Sequence, residues 1–96
     1  MTMEQIVKAA RFYRAQLYEA DAESERCDPD TKLSSLLEGE RVTVSRNHLA
    51  WMCDEILEMS DDGQKREKCM RWICFVQGVL WQLGGHTIDQ FKDDNR

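Results

Sequence analysis

The stretch from Cys69 to Leu83 constrains this chain more than any other part of it. With successive residues set about 100° apart around a helix, Cys69, Trp72, Ile73, Val76, Val79, Leu80 and Leu83 form one broad apolar face. Met70, Cys74 and Trp81 form a second apolar stripe well away from its centre. Only Glu67, Arg71, Gly78 and Gln82 make a narrow polar or small strip, bordered by Phe75. A helix that is apolar around most of its circumference must be covered around most of it. Two coverings are open: two other long helices of the same chain sandwich it, or its second stripe is the seam of a homodimer. Gly78 sits in mid-helix, where glycine costs about 1 kcal/mol relative to alanine. Close approach of another helix backbone would offset that cost; exposure of bare backbone to a ligand is the other reading.

The rest of the chain supplies the covering helices. Thr2 with Gln5 makes a capping-box pattern. Met3, Ile6, Ala10, Tyr13, Leu17 and Ala20 then recur at steps of three and four, with Val7 beside them. This predicts a first helix over about residues 3–25, stopped by Cys27-Asp28-Pro29-Asp30 because proline disfavours helix in the residue before it. Leu33, Leu36 and Leu37, closed by Gly39, predict helical turns over 31–38 that lid the core. Arg41-Val42-Thr43-Val44 reads as an extended connector with no strand to pair with. Ser45 is a suitable N-cap for a second helix over about 46–60, with Leu49, Met52, Cys53, Ile56 and Met59 on one face. Asp61-Asp62-Gly63 forms the turn into a third helix over about 64–83, and Gly84-Gly85 gives it a left-handed cap. Thr87 with Gln90 caps a short helix over 88–94, and Lys92 to Arg96 are expected to fray. The expected fold is one all-α domain over 1–96: an antiparallel hairpin of the second and third helices, with the first packed across it.

Composition narrows the function. A chain of 96 residues buries only roughly 60–65% of its unfolded surface, which leaves little room to carve a catalytic cleft. Formal net charge is −5, from 13 Lys+Arg against 18 Asp+Glu. Phosphate recognition draws on a basic face, so nucleic acid is a poor default partner. The greasy stretch ending at Leu83 contains Arg71, Gln77 and Gln82 and is shorter than the roughly 20 apolar residues of a membrane span. The N-terminus carries no basic region followed by an apolar run. A soluble cytoplasmic protein is therefore expected, with Cys27, Cys53, Cys69 and Cys74 as reduced thiols that act mainly as small hydrophobes.

No catalytic constellation or metal site emerges. His48 and Cys53 are five apart, as are Cys69 and Cys74, which on a helix separates side chains by about 140°. There is no C-x-x-C pair and no glycine-rich phosphate loop. No cofactor is expected, and the chain reads as a binder, not an enzyme.

Two groups of residues are candidates for binding. Residues 46–63 hold one cation, Arg46, and five anions: Asp54, Glu55, Glu58, Asp61 and Asp62. Residues 64–85 hold Lys65, Arg66, Lys68 and Arg71 against Glu67 alone. Those four cations either lie beside the acidic end of the second helix or form an anion site with free N–H groups at the helix start. The second group is aromatic. Trp51 falls on the same side as Asp54, Glu55 and Glu58, and Phe12 lies opposite the apolar stripe of the first helix. Each is either covered by the 33–44 connector or belongs to a protein interface, with Met70, Cys74, Phe75 and Trp81 as the further interface candidates. Arg14 lies within the apolar face of the first helix and needs a partner, most simply a carboxylate of the second.

Arg66-Glu67-Lys68-Cys69-Met70-Arg71-Trp72, Phe75-Val76-Gln77-Gly78-Val79-Leu80-Trp81, Thr87-Ile88-Asp89 and Asp93-Asp94-Asn95-Arg96 together resemble a family of small tailed-phage proteins of unsettled function. The segment from His48 to Glu55 is similar to the same group. The resemblance spans roughly half the chain and brings no catalytic residues. It implies an accessory protein made in the infected cell and acting by stoichiometric binding to a host or host-defence protein. Some small helical phage proteins are instead oligomers that sequester a nucleotide signal. On that alternative, the chain would be a sponge for a nucleotide or other anion, held by Lys65, Arg66, Lys68 and Arg71.

Overall fold

Thr2 and Thr87 each start a helix for the same local reason. The Thr2 hydroxyl accepts the Gln5 N–H at 3.1 Å while the Gln5 side chain accepts the Thr2 N–H at 2.8 Å. Thr87 and Gln90 repeat this reciprocal pair at 3.2 and 2.7 Å. Each pair satisfies two backbone donors that a bare helix start would leave without partners. A computed structural model describes all 96 residues, and every regular element in it is helical: α1 Met3–Glu19, α2 Glu38–Met59, α3 Arg66–Gln82 and α4 Ile88–Asp94. Single 3-10 turns lie at Leu33–Ser35 and Gly63–Lys65. The small all-α bundle expected from the sequence is what forms.

Four boundaries differ from expectation, each with a physical cause. First, α1 ends at Glu19 and not near residue 25. Asp21 adopts a left-handed φ of 63°. The Ala22 N–H reaches back to the Leu17 carbonyl and the Asp21 N–H to that of Tyr18, at 3.0 and 3.1 Å. This is a Schellman ending with aspartate in the position glycine usually fills, and the buried Ala22 anchors it.

Second, α2 begins at Glu38, so Arg41 to Val44 is helical and Ser45 is interior rather than a cap. The helix penalty of Val and Thr is only a few tenths of a kcal/mol each, and no strand exists to reward extension. Thr43 returns its hydroxyl to the Gly39 carbonyl at 3.1 Å, while Glu38 and Glu40 favour the positive end of the helix.

Third, the leucines at 33–37 do not lid the core: Leu37 is 74% exposed, and only Leu36 is half-buried. Fourth, the end of the chain is anchored instead of frayed. Tyr13 donates to an Asp94 carboxylate oxygen at 2.6 Å, and Asn95 exchanges two hydrogen bonds with Gln77, at 2.7 and 3.1 Å.

One apolar core holds the helices together. α1 contributes Ile6, Ala10, Tyr13 and Leu17; α2 contributes Leu49, Cys53 and Ile56; α3 contributes Cys69, Ile73, Val76 and Leu80. α1 packs most extensively on α2, and α3 touches both. Phe91 of α4 closes one end, its ring 6.1 Å from that of Tyr13. The α2–α3 turn is fastened by Asp62, whose side chain accepts the Gln64 N–H at 3.0 Å. No helix is long and apolar enough to cross a membrane.

Candidate interaction surfaces

The core buries only one side of α3. Cys69, Ile73, Val76 and Leu80 face inward and are fully or nearly fully buried. Cys74 and Gly78 are exposed, Phe75 is 53% exposed and Trp81 47%. Met70, the other member of the second stripe, is half-buried against the core. The sandwiched arrangement is thus overturned: α1 and α2 cover one face, and the outer stripe has no cover within the chain. Gly78 sharpens the point, because a Cβ built there meets nothing within 4 Å. No helix of this chain approaches it.

Beside this stripe, Leu33, Val44, His48, Leu49, Phe75 and Val79 line an open groove of about 290 Å³, with Cys27, Asp28 and Pro29 on its rim. The groove exists because residues 22–32 form an irregular loop tied to α2 by polar groups. Glu23 N–H donates to the Asn47 side chain at 2.9 Å, and Cys27 N–H donates to His48 Nδ1 at 3.0 Å. Accepting at Nδ1 places the neutral imidazole's own proton on Nε2. Burial, and then the nearby Arg26 charge, hold the His48 pKa below its ordinary value.

The aromatic candidates separate. Trp51 is half-buried, 5.4 Å from the His48 ring and 5.7 Å from Trp72, with the Arg26 guanidinium 5.3 Å above it. Arg26 of the 22–32 loop and Trp72 of α3 lie against it. Phe12 is 54% exposed, edge-on to Tyr13 at 6.0 Å.

The charges separate too. Arg14 bonds Asp54 at 2.7 Å, the expected α1–α2 pair, although its side chain is part-exposed and not within the buried face, and the Tyr18 hydroxyl donates to the same carboxylate at 2.8 Å. The other ion pair in the molecule is Arg96–Asp93. Glu55, Glu58, Asp61 and Asp62 therefore have no cation within ion-pair distance. Of the four cations beginning α3, Arg66 donates to the Met1 carbonyl at 2.9 Å, and Lys68 lies 5.4 Å over the Trp72 ring. None of the four forms an ion pair with a carboxylate of α2.

Gln77, read in the sequence only as a polar break in a greasy run, is the residue that sequence reasoning missed. It is buried, and its Nε2 donates to the Tyr13 hydroxyl at 2.9 Å and to Asn95 Oδ1 at 2.7 Å. Its partners lie in distant segments, so no local pattern marks it. Burial first, and then the bond to Asp94, push the Tyr13 phenol pKa far up and keep it neutral. His86 stacks on Phe91 at 5.4 Å and bonds Gln16 at 2.8 Å, leaving its buried Nδ1 without a partner.

All four cysteines are free thiols. Burial pushes Cys53 up to about 12 and raises Cys69 as well, so neither supplies a thiolate near neutrality. Cys74 is the exposed one. No group of three His, Cys, Asp or Glu side chains is placed to hold a metal ion. No protein-family model, curated protein or solved structure matches the chain.

Proposed function

We propose that this chain is a phage-encoded accessory protein that acts without catalysis, by stoichiometric binding to a host or host-defence protein in the infected cell. The observation that carries this reading is the acidic end of α2 and the turn after it, where Glu55, Glu58, Asp61 and Asp62 lack intramolecular ion pairs. Beside it, Asp54 is already held by Arg14 and by Tyr18, an aromatic that is 39% exposed. Unpaired carboxylates next to a part-exposed tyrosine suit a partner with a basic surface: the charges steer encounter and the ring supplies contact area at low entropy cost. The phage origin rests on the sequence resemblance.

Capture from an infected-cell lysate on the immobilised protein tests the proposal. One basic protein should be retained in stoichiometric amount, and Glu58→Lys with Asp61→Lys should weaken its binding about tenfold or more while the helical circular-dichroism spectrum is unchanged. Repeated recovery of no host protein above background would remove this reading.

A further inference from the structure

We propose that α3 pairs with α3 of a second copy of this chain, antiparallel across a two-fold axis beside Gly78. Three observations converge on that occupant. The outer stripe carries Cys74, Phe75 and Trp81 uncovered. Between Phe75 and Trp81, on the narrow strip it shares with Arg71 and Gln82, stands a glycine that weakens the helix, and a Cβ built there meets nothing within 4 Å in its own chain. The space over Gly78 suits another helix backbone, since the absent side chain lets two helices cross closely while flanking aromatics interlock on either side.

The charge on α3 selects a second copy over an unrelated helix. Lys65, Arg66, Lys68 and Arg71 crowd its N-terminal start, where the backbone dipole is positive, and its last turn contains no basic residue. Glu67 complements the first turn, but the last turn has no complementary charge within the chain. An antiparallel copy supplies one. Arg71 lies seven residues before Gly78, about 10 Å along the axis, so a two-fold at Gly78 sets it beside the last carbonyls of the partner's α3. The acidic end of α2 is a different surface, so this dimer and the host-binding reading stand or fall separately.

Sedimentation equilibrium on the purified protein should give twice the 11.3 kDa chain mass. Gly78→Leu and Phe75→Glu should each reduce it to the single-chain value with the helical spectrum kept. In the Phe75→Glu background, Gly78→Ala should raise Tm by about 4 °C, because the position is open and alanine favours helix. In the otherwise unchanged protein, the same Gly78→Ala should weaken the dimer, a pairing of effects that misfolding cannot produce.

Register has its own readout. A two-fold at Gly78 places Cys74 opposite Gln82 of the other copy, so Gln82→Cys should form an oxidative cross-link with Cys74. The unchanged protein should not cross-link, because its two Cys74 residues are about 12 Å apart along the axis, beyond disulfide reach. A single-chain mass for the unchanged protein at about 1 mM would overturn the proposal. So would a dimer indifferent to Gly78→Leu, or one joined directly through Cys74.

Discussion

α1 and α4 are helices with near-identical starts, yet they are attached to the molecule in opposite ways. α1 presents Ile6, Ala9, Ala10, Tyr13 and Leu17, all buried, to α2 and α3. Its attachment is dominated by non-directional burial of apolar area, worth about 1.5–3 kcal/mol for each large side chain, to which the part-exposed bonds of Arg14 and Tyr18 to Asp54 add little. α4 buries one large side chain, Phe91. What else holds it is polar and directional: Asp94 on Tyr13, and Asn95 on Gln77. Apolar docking is lost only when the whole core opens. Polar docking rests on a few bonds and can open by itself.

The largest effect should come from the apolar side. Ile73→Ala empties a site with no solvent exposure at the meeting of α3 and the core. It should cost about 2–5 kcal/mol in urea unfolding, with one cooperative transition for α1, α2 and α3. If those three helices melted separately in that variant, the core would not be the shared unit described above.

Gln77→Leu tests the polar side. It keeps the side-chain volume roughly and removes both bonds to Asn95 and one to Tyr13. Leaving the Asn95 amide and one side of the Tyr13 hydroxyl unsatisfied should cost about 1–3 kcal/mol. The loss should be concentrated in α4, read as faster amide exchange over Ile88–Asp94 with α1 still protected. Uniform loss of protection across both helices would erase the contrast between the two attachments.

The same contrast decides what was legible in the sequence. Both capping boxes, the Gly84 ending (φ 91°) and the core stripes of α1 and α3 follow from residues within a turn or two of each other. The partner of Arg14 was legible as well, since a carboxylate of α2 was expected and Asp54 supplies it, although Arg14 is exposed and not within the apolar face expected from the sequence. The α1 stop was not legible: Asp21 carries no glycine signal, and its left-handed turn is favoured by the burial of Ala22 in the finished core. The start of α2 was misread because Val42 and Val44 favour strands locally, a preference that matters only where a strand partner exists. Of the candidate surfaces, the uncovered stripe of α3 and the acidic run of α2 were visible as patterns. The roles of Gln77 and Asn95 were not, since their pairing links segments 18 residues apart.

The 22–32 loop extends the comparison, for it too is held by polar groups, and one of them titrates. His48 accepts the Cys27 N–H through Nδ1 and can do so only while that nitrogen is unprotonated. Burial, then Arg26, lower its folded pKa below the ordinary 6.5. The unfolded chain therefore binds the proton more readily than the folded one, and folding draws on the neutral ring. That contribution is complete above pH 6.5 and is lost as pH falls below it through the depressed folded value. The expected result is a small, local loosening: on acidification, Cys27 amide exchange, corrected for its intrinsic pH dependence, should quicken before any change in α1. In His48→Gln, whose side-chain oxygen accepts without titrating, the loop should stay closed over the same range. Acid loosening of similar size in that variant would move the switch away from His48 and leave the loop's attachment to be explained by Asn47, the other α2 side chain that holds it.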